Sequence, residues 1–165
     1  MEKIKLIIDQ SVLDRYNEYY FKQHPKAKNI PIEHPYHPSI NTWCILPRIQ
    51  MNALKQKWKD FGVWFINDLG YGNMQLDSFS ITVTVFFNTK RRHDVDNQTP
   101  KFLLDSFTES GFIVDDDEKH LHSLTLQTGY DKDNPRTEIE ICINNKRISG
   151  GTHYVKRQSK CSICE

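Results

Sequence analysis

The sequence has no long apolar run. Stretches such as Val63-Trp64-Phe65-Ile66 fall far short of the ~20 residues that a membrane-spanning helix requires. A secretory signal is missing as well, because charged and apolar residues alternate from Met1 to Ile8 and Asp9 follows at once. Together these absences predict a cytoplasmic protein without a membrane partner. Net charge is small: 22 Lys and Arg stand against 21 Asp and Glu, so the total alone does not announce a nucleic-acid binder. Cysteine is scarce, with Cys44, Cys142, Cys161 and Cys164 the four present, and in a cytoplasmic chain these are expected as thiols rather than a disulfide framework. Cys161-Ser-Ile-Cys164 has the spacing of half a zinc site. Only His153 lies nearby in the tail, short of the four ligands a structural site needs, so a metal-free tail is the expectation. No internal repeat or low-complexity block is evident.

What is present suits one small domain. A chain of 165 residues with 38% hydrophobic and 12% aromatic residues can bury roughly two-thirds of its unfolded surface. Residues 3–8 predict a short strand and Ser11–Phe21 a helix with Val12, Tyr16, Tyr19 and Tyr20 on its apolar side. Within residues 23–40, Pro25, Pro31, Pro35 and Pro38 impose a long extended loop, a feature often tied to substrate contact. From Arg48 to Leu69, the spacing of Met51, Leu54, Trp58, Phe61 and Phe65 predicts a helix that stops at Gly70-Tyr71-Gly72-Asn73. Residues 78–87 are β-branched and alternating, a strand signal. Thr99 and Pro100 predict the start of a further helix, with Leu103, Leu104 and Phe107 inward and Gly111 as its left-handed stop. Phe112–Val114 reads as a brief strand, and Leu121–Tyr130 with Thr137–Ile143 as a hairpin. The element order predicts an α+β domain with a mixed β-sheet flanked by helices. It spans residues 1–145 with its core in 40–145, and a basic tail follows at 146–165.

Chemistry concentrates between Arg91 and Asp117. In extended chain Asp94 and Asp96 share a side. A helix from Pro100 to Ser110 climbs about 16 Å, and a return at strand rise from Gly111 to Asp116 covers a similar ~17–20 Å. Asp116 is therefore expected beside the first pair, with Lys101 nearby. Three carboxylates at ~5 Å repel by about 3 kcal/mol per pair at an effective dielectric near 20, which calls for a cation. Oxygen ligands without clustered His or Cys favour Mg²⁺, with Mn²⁺ as the substitute. Such a centre with Lys101 suits phosphodiester hydrolysis. Lys90, Arg91 and Arg92, directly before the acidic pair, can track DNA phosphates. Each piece has a bland counterpart: a solvated turn for Asp115–Glu118, turn chemistry for Asp94-Val-Asp96, a surface helix former in Lys101, a salt-bridge partner for it in Asp105. His120 and His122 are expected as exposed polar residues. A calcium loop fails on Thr99, which stands where glycine is needed, and a sugar-nucleotide transferase lacks room for its donor domain.

The segment Arg91-Arg-His-Asp94-Val-Asp96-Asn97, then Lys101, Leu103-Leu-Asp105 and Gly111-Phe-Ile-Val-Asp115-Asp116, resembles the RusA-type Holliday junction resolvases. The likeness extends over roughly residues 40–145, through Arg48-Ile-Gln-Met-Asn52 and Arg136–Ile141. It implies a Mg²⁺-dependent crossover junction endodeoxyribonuclease that nicks four-way DNA junctions as a homodimer in recombination and repair. Carried over residue by residue, it implies Asp94, Asp96 and Asp116 as metal ligands, Asp115 as the neighbouring ligand if the turn is offset by one, and Lys101 as the catalytic lysine. Pro100 lengthens the interval to the lysine by one residue relative to the commonest spacing. The alternatives are a nuclease of other branched DNA on the same fold, or a DNA-binding protein that does not cleave.

Overall fold

A computed structural model of the chain describes residues 2–144. The basic tail, with His153, Cys161 and Cys164, lies outside the described residues. Strand β1, Glu2–Ile8, points Ile4, Leu6 and Ile8 into the core. Asp9 then caps helix α1, Gln10–Gln23, by accepting the Val12 N–H at 3.1 Å. Val12, Leu13 and Tyr16 form its buried face, while Tyr19 stays 44% exposed. The proline-rich stretch runs without regular structure to a short helix α2, Ile40–Trp43. Helix α3, Arg48–Asp68, buries Trp58, Phe61, Phe65 and Ile66 and ends at Gly70, whose φ of 76° only glycine adopts easily.

Strand β2, Phe79–Phe87, is followed by a 3₁₀ turn, Val95–Gln98, and helix α4, Lys101–Glu109. Strands β3, Leu121–Tyr130, and β4, Arg136–Ile143, complete the described chain. These four strands form one mixed sheet in the order β1-β4-β2-β3. β4 is antiparallel to both β1 and β2, and β2 is parallel to β3. The architecture is thus α+β, as expected.

Two local expectations are corrected. β3 and β4 are not a hairpin, because β2 lies between them. Residues 131–135 cross the end of β2, where the Asp131 N–H bonds the Phe87 carbonyl at 2.9 Å. Phe112–Val114 forms no strand, only a single parallel bridge from Ile113 to Leu76.

Rows of side chains run across the sheet on its core face. One row is Ile4–Ile141–Ile81–Leu124 and the next is Leu6–Ile139–Val83–Leu126. The first three members of the first row are buried, but Leu124 is 36% exposed. The helical layer therefore covers β1, β4 and β2 and leaves β3 largely bare. Alternation on the far face is polar, with Lys5 bonded to Glu138 at 2.7 Å and Arg136 to the same carboxylate at 2.7 Å. α4 packs against α3 where Gly62 meets Ser106; a Cβ at Gly62 would stand 2.6 Å from the Ser106 Cβ. Among the described residues no helix is long and apolar enough to cross a membrane.

Candidate functional site

The acidic pair follows the end of β2 and shares one recess, and Lys101 opens the helix that comes next in the chain. His93 stacks on Phe87, the last residue of β2, with centroids 3.6 Å apart and planes within 5°. This contact turns the chain over the strand end and delivers Asp94 and Asp96. The two are not an extended ladder: Val95–Gln98 is a 3₁₀ turn, with the Asn97 N–H on the Asp94 carbonyl at 3.2 Å. Both still line one open recess, together with Asn41 of α2 and Asn97. Arg92 Nε lies 3.4 Å from an Asp94 carboxylate oxygen, an exposed ion pair of little strength. Of Asp96, only the backbone carbonyl is engaged among the described residues, accepting from Thr99 Oγ1 at 3.1 Å.

That bond corrects the expected cap. Thr99 turns its hydroxyl back toward Asp96, Pro100 occupies the N-cap position, and no side chain from the adjoining segment caps α4. The first turn contains no acid and begins with Lys101, at the end of the helix where partial positive charge gathers. Asp105 offsets this one turn on. Its Oδ1 lies 3.6 Å from Lys101 Nζ, and its Oδ2 lies 3.0 Å from Lys55 Nζ of α3. The pairing of Lys101 with Asp105 agrees with the spacing, whereas Lys55 carried no signal of its own. Lys90, Arg91 and Arg92 are exposed in the loop before the recess, and Lys90 Nζ sits 5.2 Å from the Tyr130 ring.

The acidic turn lies elsewhere. Instead of returning toward Asp94, the chain after α4 continues to Leu76, just before β2: the Val114 N–H bonds the Leu76 carbonyl at 3.0 Å. The Phe79 N–H then bonds the His120 carbonyl at 3.0 Å, and Leu121 pairs with Phe79. Asp115 and Asp116 thus stand at the start of β2, and Asp94 and Asp96 beyond its end. Roughly 26 Å of strand lies between the two ends. Among the described residues, no group of three or more His, Cys, Asp or Glu is disposed to hold a metal ion. The expected return was wrong because the ten residues of β3, not the five after Gly111, run back along β2.

Within the turn the carboxylates differ. Asp117 accepts from His120 Nδ1 at 2.6 Å, a bond that holds its carboxyl below the usual range. His120 Nε2 lies 3.3 Å from Asp77, and His122 bonds Ser78 at 2.8 Å, so the two histidines serve separate structural contacts. Asp115 accepts the Asp116 N–H at 2.8 Å. The Asp116 and Glu118 carboxylates have no hydrogen-bond or ion-pair partner among the described residues. Cys44 and Cys142 are free thiols.

No protein-family model matches the chain, and no curated protein matches it.

Proposed function

We propose that this chain is a Mg²⁺-dependent endonuclease that cuts branched DNA, four-way junctions first, as a homodimer. The observation that carries the reading is the pair of open carboxylates, Asp94 and Asp96, lining one recess just ahead in the chain of Lys101, which begins an α4 terminus with no acid in its first turn. A helix N-terminus beginning with lysine attracts an anion. The two exposed carboxylates of the preceding turn would repel that anion unless a cation stood between. A phosphate bridged to a divalent ion satisfies both halves at once, and the all-oxygen donor set suits a hard ion such as Mg²⁺ or Mn²⁺.

Two carboxylates make a weak metal site, and the edge of the sheet suggests the source of a third. Leu121–Tyr130 contains no Asp, Glu, Lys, Arg or Pro, whereas the opposite edge, β1, carries Glu2, Lys3 and Lys5. A ten-residue uncharged edge with no described neighbour outside it is an invitation to pair. Antiparallel pairing of β3 with β3 of a second copy, by a two-fold axis, sets the start of one strand beside the end of the other. The partner subunit's Asp116 then approaches Asp94 and Asp96, with Asp115 beside it. A divalent ion held by these carboxylates would supply Lewis-acid polarisation of a phosphate and charge stabilisation for its leaving oxygen. Lys101 balances the charge that develops on the phosphoryl oxygens, and Lys90, Arg91 and Arg92 hold the flanking backbone. The cytoplasm is the compartment this activity suits.

The test is cleavage of synthetic DNA substrates by the purified chain. A four-way junction is expected to be nicked with Mg²⁺ and spared after chelation, and Asp96→Asn is expected to bind without cutting. Equal cutting of flaps and forks points to a broader branched-DNA nuclease. A junction bound but left whole across Mg²⁺ and Mn²⁺ leaves a binding protein.

A further inference from the structure

The proline-rich loop has one polar link to the catalytic corner, through His37. This side chain is 4% exposed, packed between the rings of Trp58 at 5.4 Å and Phe102 at 4.8 Å. Its Nδ1 lies 2.8 Å from the Pro38 carbonyl, and its Nε2 lies 3.1 Å from the backbone nitrogen of Phe102, 65 residues away. A carbonyl only accepts and an amide N–H only donates. The ring is therefore the neutral tautomer with its proton on Nδ1 and a lone pair on Nε2.

We propose that His37 is a positioning residue for Lys101: by accepting the Phe102 N–H it sets where α4 begins, and so where the neighbouring lysine leaves the helix. The argument rests on the reading of Lys101 as the residue that faces phosphate. α4 needs such an outside acceptor because Pro100 offers no side-chain oxygen and Thr99 is spent on Asp96. The loop is anchored at this point from two sides, since Thr137 Oγ1 of β4 donates to the Pro35 carbonyl at 2.7 Å and Trp43 packs on Phe102 at 5.3 Å. A histidine ring suits the position, being rigid, apolar in body, and able to accept at one edge while its other edge is satisfied within the loop.

Protonation would put N–H against N–H at Phe102 and break the cap. Burial holds the ring neutral, pushing its pKa down to about 4. Asp105 of α4 opposes that shift from a distance. Lys57 of α3, Glu33 and His34 of the loop, and His93 after β2 line the same cavity.

The test compares His37→Leu, which removes the acceptor, with His37→Gln, whose carboxamide oxygen can stand in for Nε2, in the full chain at neutral pH. The readouts are hydrogen exchange at the Phe102 amide, the Lys101 Cε chemical shift, and nicking of a four-way junction with Mg²⁺. In His37→Leu, Phe102 is expected to lose protection and the Lys101 signal to move. kcat should fall by about 10- to 100-fold with KM for the junction unchanged. His37→Gln should restore all three. Equal loss of activity in the two variants, or a Phe102 amide still protected in His37→Leu, overturns the proposal. If the wild-type chain cuts nothing, the nuclease reading fails on its own. The amide and Lys101 signals then still decide: movement in His37→Leu reversed in His37→Gln supports the positioning role, and no movement overturns it.

Discussion

Asp105 stands one helical turn beyond Lys101, its Oδ1 3.6 Å from the lysine Nζ, and its second oxygen holds Lys55 at 3.0 Å. The carboxylate thus keeps two ammonium groups at the end of α4 where the helix itself repels cations. Asp105→Asn is expected to cost about 1 kcal/mol, since the acid is partly buried while its lysines face solvent and are screened. Lys101→Ala should leave the melting temperature nearly unchanged and reduce junction nicking by about 100-fold or more. Thermal denaturation and steady-state nicking check both.

A site shared between two subunits, as proposed, makes an unusual demand on mixed subunits. Asp96→Asn and Asp116→Asn should each be inactive alone. Mixed, they form heterodimers in which one of the two sites has every carboxylate intact. Roughly a quarter of wild-type nicking should return after subunit exchange. If all three acids served within one chain, mixing would restore nothing.

The bare edge is open to direct disruption. Leu124→Lys places charge on a row that is one-third exposed at β3, and Thr125→Pro removes a backbone donor from the strand. If β3 pairs two copies as proposed, sedimentation should find the wild type dimeric and both variants monomeric at the same concentration, and neither variant should nick junctions. A fully active monomer would count against the two-fold site.

Stability should depend on pH through His37. Its folded pKa, about 4, lies below the ordinary 6.5, so between these values the unfolded chain binds a proton that the folded chain refuses. The stabilisation is complete above pH 6.5 and is lost as pH falls toward 4, by roughly 3 kcal/mol at the acid end. Urea titrations at pH 7 and pH 4.5 should differ in this direction, and the difference should shrink in His37→Gln.

Gly62→Ala tests the floor beneath α4. The added Cβ would collide with Ser106, whose hydroxyl is buried and bonded to the Leu103 carbonyl at 2.6 Å. A loss of about 1–3 kcal/mol is expected, read as a lower urea midpoint. Gly62→Ala with Ser106→Gly should recover part of it.

Much of the fold was legible because it is local. The alternation Phe79-Ser-Ile-Thr-Val predicts a strand wherever it lands, and the spacing of Trp58, Phe61 and Phe65 predicts the long helix that forms. Gly70 and Gly111 end their helices in the left-handed conformation, as turn chemistry requires. Lys101 and Asp105 were readable as a pair because four residues make one turn. Thr99 misled, since a hydroxyl beside a helix start has two uses and the choice depends on which neighbour bends toward it.

By itself, the sequence determined the identities and spacings of the elements and the chemistry of the residues around Asp94, Asp96, Lys101 and Asp116. Tertiary structure alone decided which strands became neighbours, and with that which ends of the sheet carry which acids. Strand pairing joins residues far apart in the chain, and their own local pattern is the same whether they pair with one neighbour or another. Hence a hairpin expected at residues 121–143 opened to admit β2, and a histidine from a proline-rich loop came to cap a helix 65 residues on.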